Sequence, residues 1–208
     1  MSETYREQKE YGNRTRTAHR DKRRHSLVLA TYQLIAEKGF EQLRTRDVAA
    51  RAGVNIATLH YYFASKEDLI PGVVDHLLHE FSTVPTSLLT MNDTTPLGQI
   101  RAMFLTTHHS FQEKPEIFIV LSELVLRSLR DASLRPALQR LDCGWHGYLQ
   151  HVVMDGVYQG VFRADLDPED MATKVIILIK GFLFHQITSP GAIDFQQLLN
   201  DVEHLLLS

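Results

Sequence analysis

A cluster of polar and basic side chains between residues 44 and 66 is the part of this sequence best suited to binding chemistry. Its members carry hydrogen-bonding or positively charged groups: Arg44, Thr45, Arg46, Asn55, Thr58, His60, Tyr61 and Lys66. Such side chains donate hydrogen bonds to phosphate oxygens, and Asn and Thr also pair with base edges. Ile56, Ala57 and the methyl group of Thr58 offer apolar contacts that fit thymine methyl groups. The chemistry predicted for this segment is recognition of double-stranded DNA.

The charge of the chain is distributed unevenly. Residues 1–66 contain 13 Lys and Arg against 7 Asp and Glu, whereas residues 67–208 contain 9 against 18. A basic N-terminal part on an acidic body favours a polyanionic partner for that part. An uneven solvated surface would give the same counts, so the charge alone leaves both interpretations open.

Two short helices joined by a tight turn must position these side chains. Their facing sides are apolar, with Val48, Ala49, Ala52, Val54, Leu59 and Tyr62. Thr45 is predicted to cap the first helix, Gly53 to make the turn, and Asn55 to cap the second helix. A helical hairpin within a core would explain the apolar positions. It would not explain the polar groups on the opposite face, which a helix-turn-helix requires.

The segment TRDVAARAGVNIATLHYYFASKEDL resembles the DNA-binding domain of the TetR (tetracycline-repressor-like) family. The usual family pattern is Gly-Val-Ser-x-Gly-x-Leu-Tyr-x-x-Phe followed by Ser-Lys-Glu-x-Leu. This chain departs from it at three positions, with Asn55 for Ser, Ala57 for Gly and His60 for the first Tyr. The resemblance implies a helix-turn-helix transcriptional regulator.

The resemblance also implies a role for each residue of the segment. Thr45, Tyr61 and Lys66, joined by His60, are expected to contact phosphates, which sets the register of the protein on the duplex. The start of the recognition helix is expected to meet base edges with Asn55, Ile56, Ala57 and Thr58. Arg44 lies beside this surface, and Arg46 is expected to reach a base or a phosphate.

The pattern of the whole chain predicts an all-α fold of about nine helices in three parts. Residues 1–20 are interpreted as a basic flexible arm, either a minor-groove contact or a solvated tail. Residues 21–66 form the helix-turn-helix domain, with its first helix beginning at Asp21. Residues 67–208 form a ligand-binding and dimerisation domain. A helix from Ser65 to about Phe81 opens this last part, and Pro71 predicts a kink or a late start.

The last two helices, about 168–187 and 193–207, are more apolar than a monomer is expected to bury. In the family these helices pair in the dimer, so a homodimer on a palindromic operator is expected. The family binds its small-molecule effector within the C-terminal bundle. The candidate lining residues are Phe104, His108, Phe111, Phe118, Leu121, Trp145, Tyr148 and Val152. Packing within the core is the alternative role for each of them.

Several other functions find little support in the sequence. Cys143 has no second cysteine to pair with and is expected to be a buried, inert thiol rather than a redox sensor. The His108–His109 and His76–His79 spacings lack partner ligands, so neither a metal nor a cofactor is expected. No secretory signal or membrane span is predicted, which favours the cytoplasm. The predicted function is a repressor released by an effector, and the alternative is a helical enzyme or adaptor without DNA binding.

Overall fold

The computed structural model describes residues 3–82 and 93–207, with side chains from Ala18 to Phe81 and from Asp93 onward. Its helices are α1 (Glu3–Lys38), α2 (Thr45–Arg51), α3 (Ile56–Tyr62), α4 (Ile70–Ser82), α5 (Pro96–Glu113), α6 (Pro115–Ser128), α7 (Arg135–Tyr158), α8 (Pro168–Thr188) and α9 (Phe195–Leu207). Short 3₁₀ turns occur at Glu67–Leu69 and Ala132–Leu134. No strand occurs within the described ranges. The all-α prediction with about nine helices is therefore confirmed.

Side-chain caps begin several of these helices, among them α3, whose cap at Asn55 the sequence predicted. Asn55, Thr95 and Asp167 each accept a hydrogen bond from the backbone N–H three residues later. Ser65 and Asp68 exchange hydrogen bonds, from the N–H of Ser65 to the carboxylate (2.9 Å) and from the N–H of Asp68 to the hydroxyl (3.3 Å). Each cap satisfies an N–H group that has no partner within the helix.

Two predicted helix starts were wrong. Thr45 is the first residue of α2 rather than its cap, because Arg44 occupies the cap position and makes no side-chain cap bond. The first helix begins at Glu3 and not at Asp21. Residues 3–20 are rich in Glu, Gln, Lys and Arg, and these side chains lose little freedom in a helix. Gly12 and Asn13 oppose the helix by no more than about 1 kcal/mol each, so they do not end it.

The described part of the chain divides into two compact units. The first unit combines the residues up to Leu77 with Ile119–Ala137, so it contains α1 to α3 together with most of α4 and α6. Its core is fully buried and consists of Leu27, Ile35, Phe40, Val48, Leu59, Leu69, Ile70, Val73, Val74, Leu77, Val120 and Leu124. This core holds α3 in place from behind.

The second unit combines Leu78–Phe118 with the residues from Leu138 onward. Residues of α5, α7, α8 and α9 fill its interior, among them Ile100, Phe104, Leu149, Val153, Val175 and Val202. Arg101 on α5 donates two hydrogen bonds to the carboxylate of Glu203 on α9, at 2.6 and 2.8 Å. This bidentate pair fixes the two helices side by side.

Helix α8 is the one helix in the described ranges whose length and mean hydropathy would allow it to cross a membrane. One of its sides is buried inside the second unit, through Met171, Val175, Ile179 and Phe182. Lys174 and Lys180 lie on the exposed side and form ion pairs with Asp170 and Asp142. A buried apolar face opposite paired charges is typical of a core helix in a globular protein.

Two glycines of α7 give opposite predictions for stability. A Cβ at Gly156 would overlap the ring of Phe162, which is itself buried, whereas a Cβ at Gly147 meets no atom within 4 Å. We expect Gly156→Ala to lower the free energy of unfolding by about 1 to 3 kcal/mol. The matched control Gly147→Ala should raise it by roughly 0.5 to 1 kcal/mol, because alanine favours the helix. Chemical denaturation of both variants measures the difference, and equal stabilities would contradict this packing.

Candidate nucleic-acid interface

Two ion pairs fix α2 against the end of α1. Lys38 donates to the carboxylate of Asp47 at 2.6 Å, and Arg51 binds both carboxylate oxygens of Glu37 at 2.7 Å. The hydrogen bond from Lys38 lowers the pKa of Asp47, and the hydrogen bond from Arg51 lowers the pKa of Glu37. Each ion pair therefore favours the ionised form of its carboxylate and holds α2 beside the end of α1.

The turn between α2 and α3 depends on Gly53. Its φ of 66° lies in the left-handed region, where a side chain would be strained. The N–H of Val54 then donates to the carbonyl of Ala49 at 2.9 Å, which closes the turn. Ala49 and Leu59 are buried between the helices. The predicted turn and its apolar facing sides are thus present, and α3 is anchored along its inner side.

The N-terminal end of α3 is open to solvent. Asn55, Ile56 and Ala57 are exposed, Ile56 to 42%, and Thr58 is half-buried. The Oδ1 atom of Asn55 accepts the N–H of Thr58 at 2.7 Å, so this oxygen is engaged as a helix cap. The NH₂ group of Asn55 keeps its two donors for another acceptor. The four residues predicted to meet base edges therefore stand together at one end of a rigid helix.

The last turn of α3 presents two more of the predicted contacts. His60 is exposed, and Tyr61 is 73% exposed with its ring edge-on to Tyr62 at 5.1 Å. At the start of α2, Arg44 and Arg46 are also exposed, and Thr45 between them is half-buried. Nitrogen Nε of Arg46 lies 3.6 Å from Asp47, which is a weak exposed pair that a phosphate can displace.

Lys66 is held by the loop that follows α1. Its ammonium group lies 3.4 Å from the carbonyl oxygen of Phe40 and 4.6 Å from the centre of that ring. Glu123 of α6 accepts the N–H of Phe40 at 3.2 Å. Arg127, also of α6, lies over the same ring at 5.5 Å and pairs with Glu41. We call these five residues the Phe40 hub.

Of the Phe40 hub, only Lys66 was predicted from the sequence. Phe40 follows Gly39 and lies outside the stretch from Arg44 to Lys66 in which contacts were predicted. Glu123 and Arg127 lie far away along the chain, on a helix that the prediction assigned to the ligand-binding domain. Their spacing of one helical turn was the only local signal, and any surface helix carries such pairs. The hub thus connects a predicted phosphate contact to α6 within the first unit.

The predicted ligand-binding residues fall into separate groups. Phe104 and His108 of α5 line a small apolar cavity of about 10 Å³, which is enough for one water molecule. Phe182 of α8 and Phe195 of α9 complete its aromatic wall, and the rings of His108 and Phe195 stack at 4.0 Å. Burial, aided by the charge of neighbouring His109, lowers the pKa of His108, so its ring is neutral at pH 7. Phe195 was not predicted, because the first residue of an amphipathic helix gave no signal.

A second group surrounds Phe118. Its ring contacts Phe111 at 5.2 Å and Phe81 at 5.7 Å, and Phe81 in turn contacts Trp145 at 4.9 Å. All four residues belong to the second unit. Phe111, Phe118 and Trp145 were predicted as ligand contacts, and the structure brings them together as an edge-to-face aromatic cluster. Such geometry stabilises packing whether or not a ligand enters.

The three remaining candidates differ in their exposure. Leu121 is half-buried in the first unit, Tyr148 of α7 is exposed to about half of its surface, and Val152 is buried. Partial burial raises the pKa of Tyr148 above the usual value for a phenol. Of the eight candidates, Phe104 and His108 are the two that line the cavity described above.

Cys143 lies on the surface of α7, so the expectation of a buried thiol was wrong. It occupies the outward side of the helix, between Asp142 and Gly144, which are also exposed. Within the described residues no group of three or more His, Cys, Asp or Glu side chains is arranged to hold a metal ion. His76 instead packs edge-on against the ring of Tyr32 at 4.8 Å.

Sequence profiles of two families match this chain. Residues 27–73 match the family described as bacterial regulatory proteins of the tetR family, and these residues contain the whole helix-turn-helix. Residues 96–208 match the C-terminal domain of BetI-type transcriptional repressors. The second match covers more than half of the chain.

Individual proteins of known sequence or structure agree with these profiles. The fatty acid metabolism regulator protein of Bacillus subtilis (strain 168) is 21% identical over 182 residues, which span 88% of this chain and 92% of that protein. A crystal structure of a TetR-family regulator from Rhodococcus superposes with a TM-score of 0.75 at 20% identity and covers 90% of this chain and all of the other. The FadR regulator of B. subtilis, solved with stearoyl-CoA, gives a TM-score of 0.68 at 22% identity over 88% of this chain and 97% of that one. The chain therefore belongs to the TetR family of transcriptional regulators.

Proposed function

We propose that this protein is a repressor that binds a palindromic operator as a homodimer and leaves it when a small molecule binds. Its relatives are regulators and not enzymes, and the matched C-terminal family consists of repressors. The observation that carries the proposal is the exposed front of α3, which is capped, anchored from behind and lined with the side chains that DNA recognition needs.

In this proposal the candidate contact residues divide into two roles. The N-terminal end of α3 enters the major groove, where Ile56 and Ala57 meet thymine methyl groups and the NH₂ group of Asn55 donates to a base. The phosphate contacts come from residues around this helix, namely Arg44, Thr45, Arg46, His60, Tyr61 and Lys66. The Phe40 hub supports Lys66, because the carbonyl oxygen and the ring of Phe40 both lie next to its ammonium group.

The homodimer forms through α8 and α9 in this proposal. Most apolar residues of these helices fill the core of the second unit. The apolar surface left exposed in one protomer is therefore smaller than the sequence suggested. Among the apolar residues that remain exposed, Ile187 lies at the end of α8 and Leu205 and Leu207 lie on α9. A stripe on α8 has Ile177 (62% exposed), Gly181 and Phe184 (69% exposed) at helical spacing. Nothing lies within 4 Å of a Cβ at Gly181, which leaves room for a partner helix to approach closely. We call these three residues the α8 stripe.

The effector in this proposal has a substantial apolar part and binds in the second unit. The cavity beside His108 is lined by Phe104, Phe182 and Phe195, and its wall is almost wholly apolar. A FadR relative was solved with stearoyl-CoA, whose acyl chain is of that chemical class. The cavity must widen for such a ligand, so the ligand favours a different conformation from the one described. The effector thus has different affinities for the two conformations, and this difference couples effector binding to release of the operator.

A selection from genomic fragments tests the proposed function. The purified protein is mixed with sheared DNA from its own genome, and retained fragments are sequenced and then titrated in a mobility-shift assay. We expect specific binding that weakens steeply with salt, and partial release when an acyl-CoA is added. The promoter region next to its own gene is the first site to test. Equal retention of all fragments would contradict the proposal.

A further inference from the structure

Residues 18–25 of α1 are exposed and carry positive charges that the proposed function does not use. Arg20, Arg23 and Arg24 are exposed. None of the three has an ion pair with any described residue. We call them the α1 basic cluster. Three neighbouring cations repel each other, and a polyanion bound at this place would relieve that repulsion.

The α1 basic cluster lies on the same side of α1 as the core of the first unit. Arg20 and Arg24 are one turn apart, and the next turns of that side carry the buried residues Leu27 and Thr31. Arg23 lies beside this row of residues on the helix. The helix therefore extends beyond the packed core, and its core-facing side becomes a basic face there.

A contact to Phe63 shows which end of α3 this basic face adjoins. The guanidinium carbon of Arg24 lies 5.2 Å from the centre of the Phe63 ring. Phe63 directly follows α3, and the last turn of α3 exposes His60 and Tyr61. The α1 basic cluster thus begins beside the end of α3 that carries two of the proposed phosphate contacts.

We propose that the α1 basic cluster is a DNA phosphate-binding site, which holds the backbone that flanks each half-site. The inference rests on the proposed function and extends the interface beyond the helix-turn-helix. A helix with side chains is about 10 to 12 Å wide, whereas the minor groove is only about 6 Å wide. A helical segment therefore binds across the phosphates. It does not enter the minor groove, which was one of the two roles that the sequence left open for a flexible arm.

Salt titrations with two duplexes test this site. One duplex ends at the selected operator and the other extends beyond it on both sides. The variant Arg20→Ala/Arg23→Ala keeps Arg24 on Phe63, and alanine keeps the helix. On the long duplex we expect the slope of log affinity against log salt to become shallower by about 0.9 per lost contact, hence about 1.8 per protomer. On the short duplex the slopes of the variant and the wild type should differ much less, because the flanking phosphates are absent.

Two further variants separate charge from structure. Arg20→Lys/Arg23→Lys should keep the wild-type slope, because each ammonium group still neutralises a phosphate. Lys114→Ala/Lys174→Ala removes two exposed cations of the second unit and should leave the slope unchanged. An unchanged slope for the double alanine variant on the long duplex would overturn the inference but leave the proposed function intact. Absence of specific binding by the wild type would overturn both.

Discussion

Replacing Tyr61 and Lys66 together by alanine is expected to weaken operator binding by roughly 100-fold or more. A hydrogen bond to a charged group contributes about 1.5 to 3 kcal/mol, and 1.4 kcal/mol is a factor of ten in affinity. Both side chains are proposed to contact phosphates, so the loss should be similar for the operator and for unrelated duplexes. Fluorescence anisotropy with labelled duplexes of both kinds measures it.

The two positions need different controls. Tyr61 is exposed to solvent, so its loss should cost little stability. Lys66 contacts Phe40, so Lys66→Ala also loosens the Phe40 hub, whereas Lys66→Arg keeps a positive charge at this position. Tyr158→Ala/Lys114→Ala removes an exposed tyrosine and an exposed lysine of the second unit. If that control variant lost as much affinity as the test variant, the assignment of the interface to α3 would be wrong.

Placing glutamates on the α8 stripe, as Ile177→Glu/Phe184→Glu, is expected to produce monomers. Two carboxylates per protomer would lie in an apolar contact without partners, and each would cost several kcal/mol to desolvate. Operator affinity should fall at least 100-fold, because a single helix-turn-helix then contacts only one half-site. Sedimentation velocity measures the mass, and a mobility-shift assay measures the affinity.

A matched change on another exposed apolar face controls for solubility and stability. Leu126 (64% exposed) lies on the exposed side of α6, and Leu129, also exposed, directly follows this helix. Both residues belong to the first unit. Leu126→Glu/Leu129→Glu adds the same charges there and should leave the dimer intact. A wild-type protein that sediments as a monomer at micromolar concentration would refute the proposed dimer directly.

Local patterns in the sequence were sufficient to predict most helix boundaries. The cap at Asn55 and the turn at Gly53 each depend on one residue and its neighbours within four positions. Pro71 lies in the first turn of α4, which starts at Ile70 after a 3₁₀ turn, so the predicted late start is confirmed. Such signals act over short distances, and a sequence displays them directly.

Features that depend on distant residues could not be predicted in this way. The contacts of Lys66 and Arg127 with Phe40 join parts of the chain that no periodicity connects. The aromatic residues chosen as ligand contacts include Phe104 and His108, which do line a cavity, but their partners Phe182 and Phe195 come from α8 and α9. Aromatic content marks a site and a packed core equally, so the sequence did not separate the two. Cys143 was assigned to the core although α7 turns it outward.

The candidate DNA interface was predictable because its chemistry is local. Its residues lie within one stretch from Arg44 to Lys66, and the exposure of Tyr61, Ile56 and Arg44 agrees with their predicted roles, which stay predictions until binding is measured. The α1 basic cluster was seen only as charge, because its position beside Phe63 requires a helix that continues past Asp21.

The composition of the first unit has a consequence for protein engineering. A chimaera that joined residues 1–66 to the sensor of another regulator would leave behind Glu123 and Arg127, which hold the N–H and the ring of Phe40. The transplanted fragment would then lack the support beneath Lys66. Designers who wish to recombine such regulators should transfer the segment Ile119–Ala137 together with the N-terminal residues, as one module made of two pieces of chain.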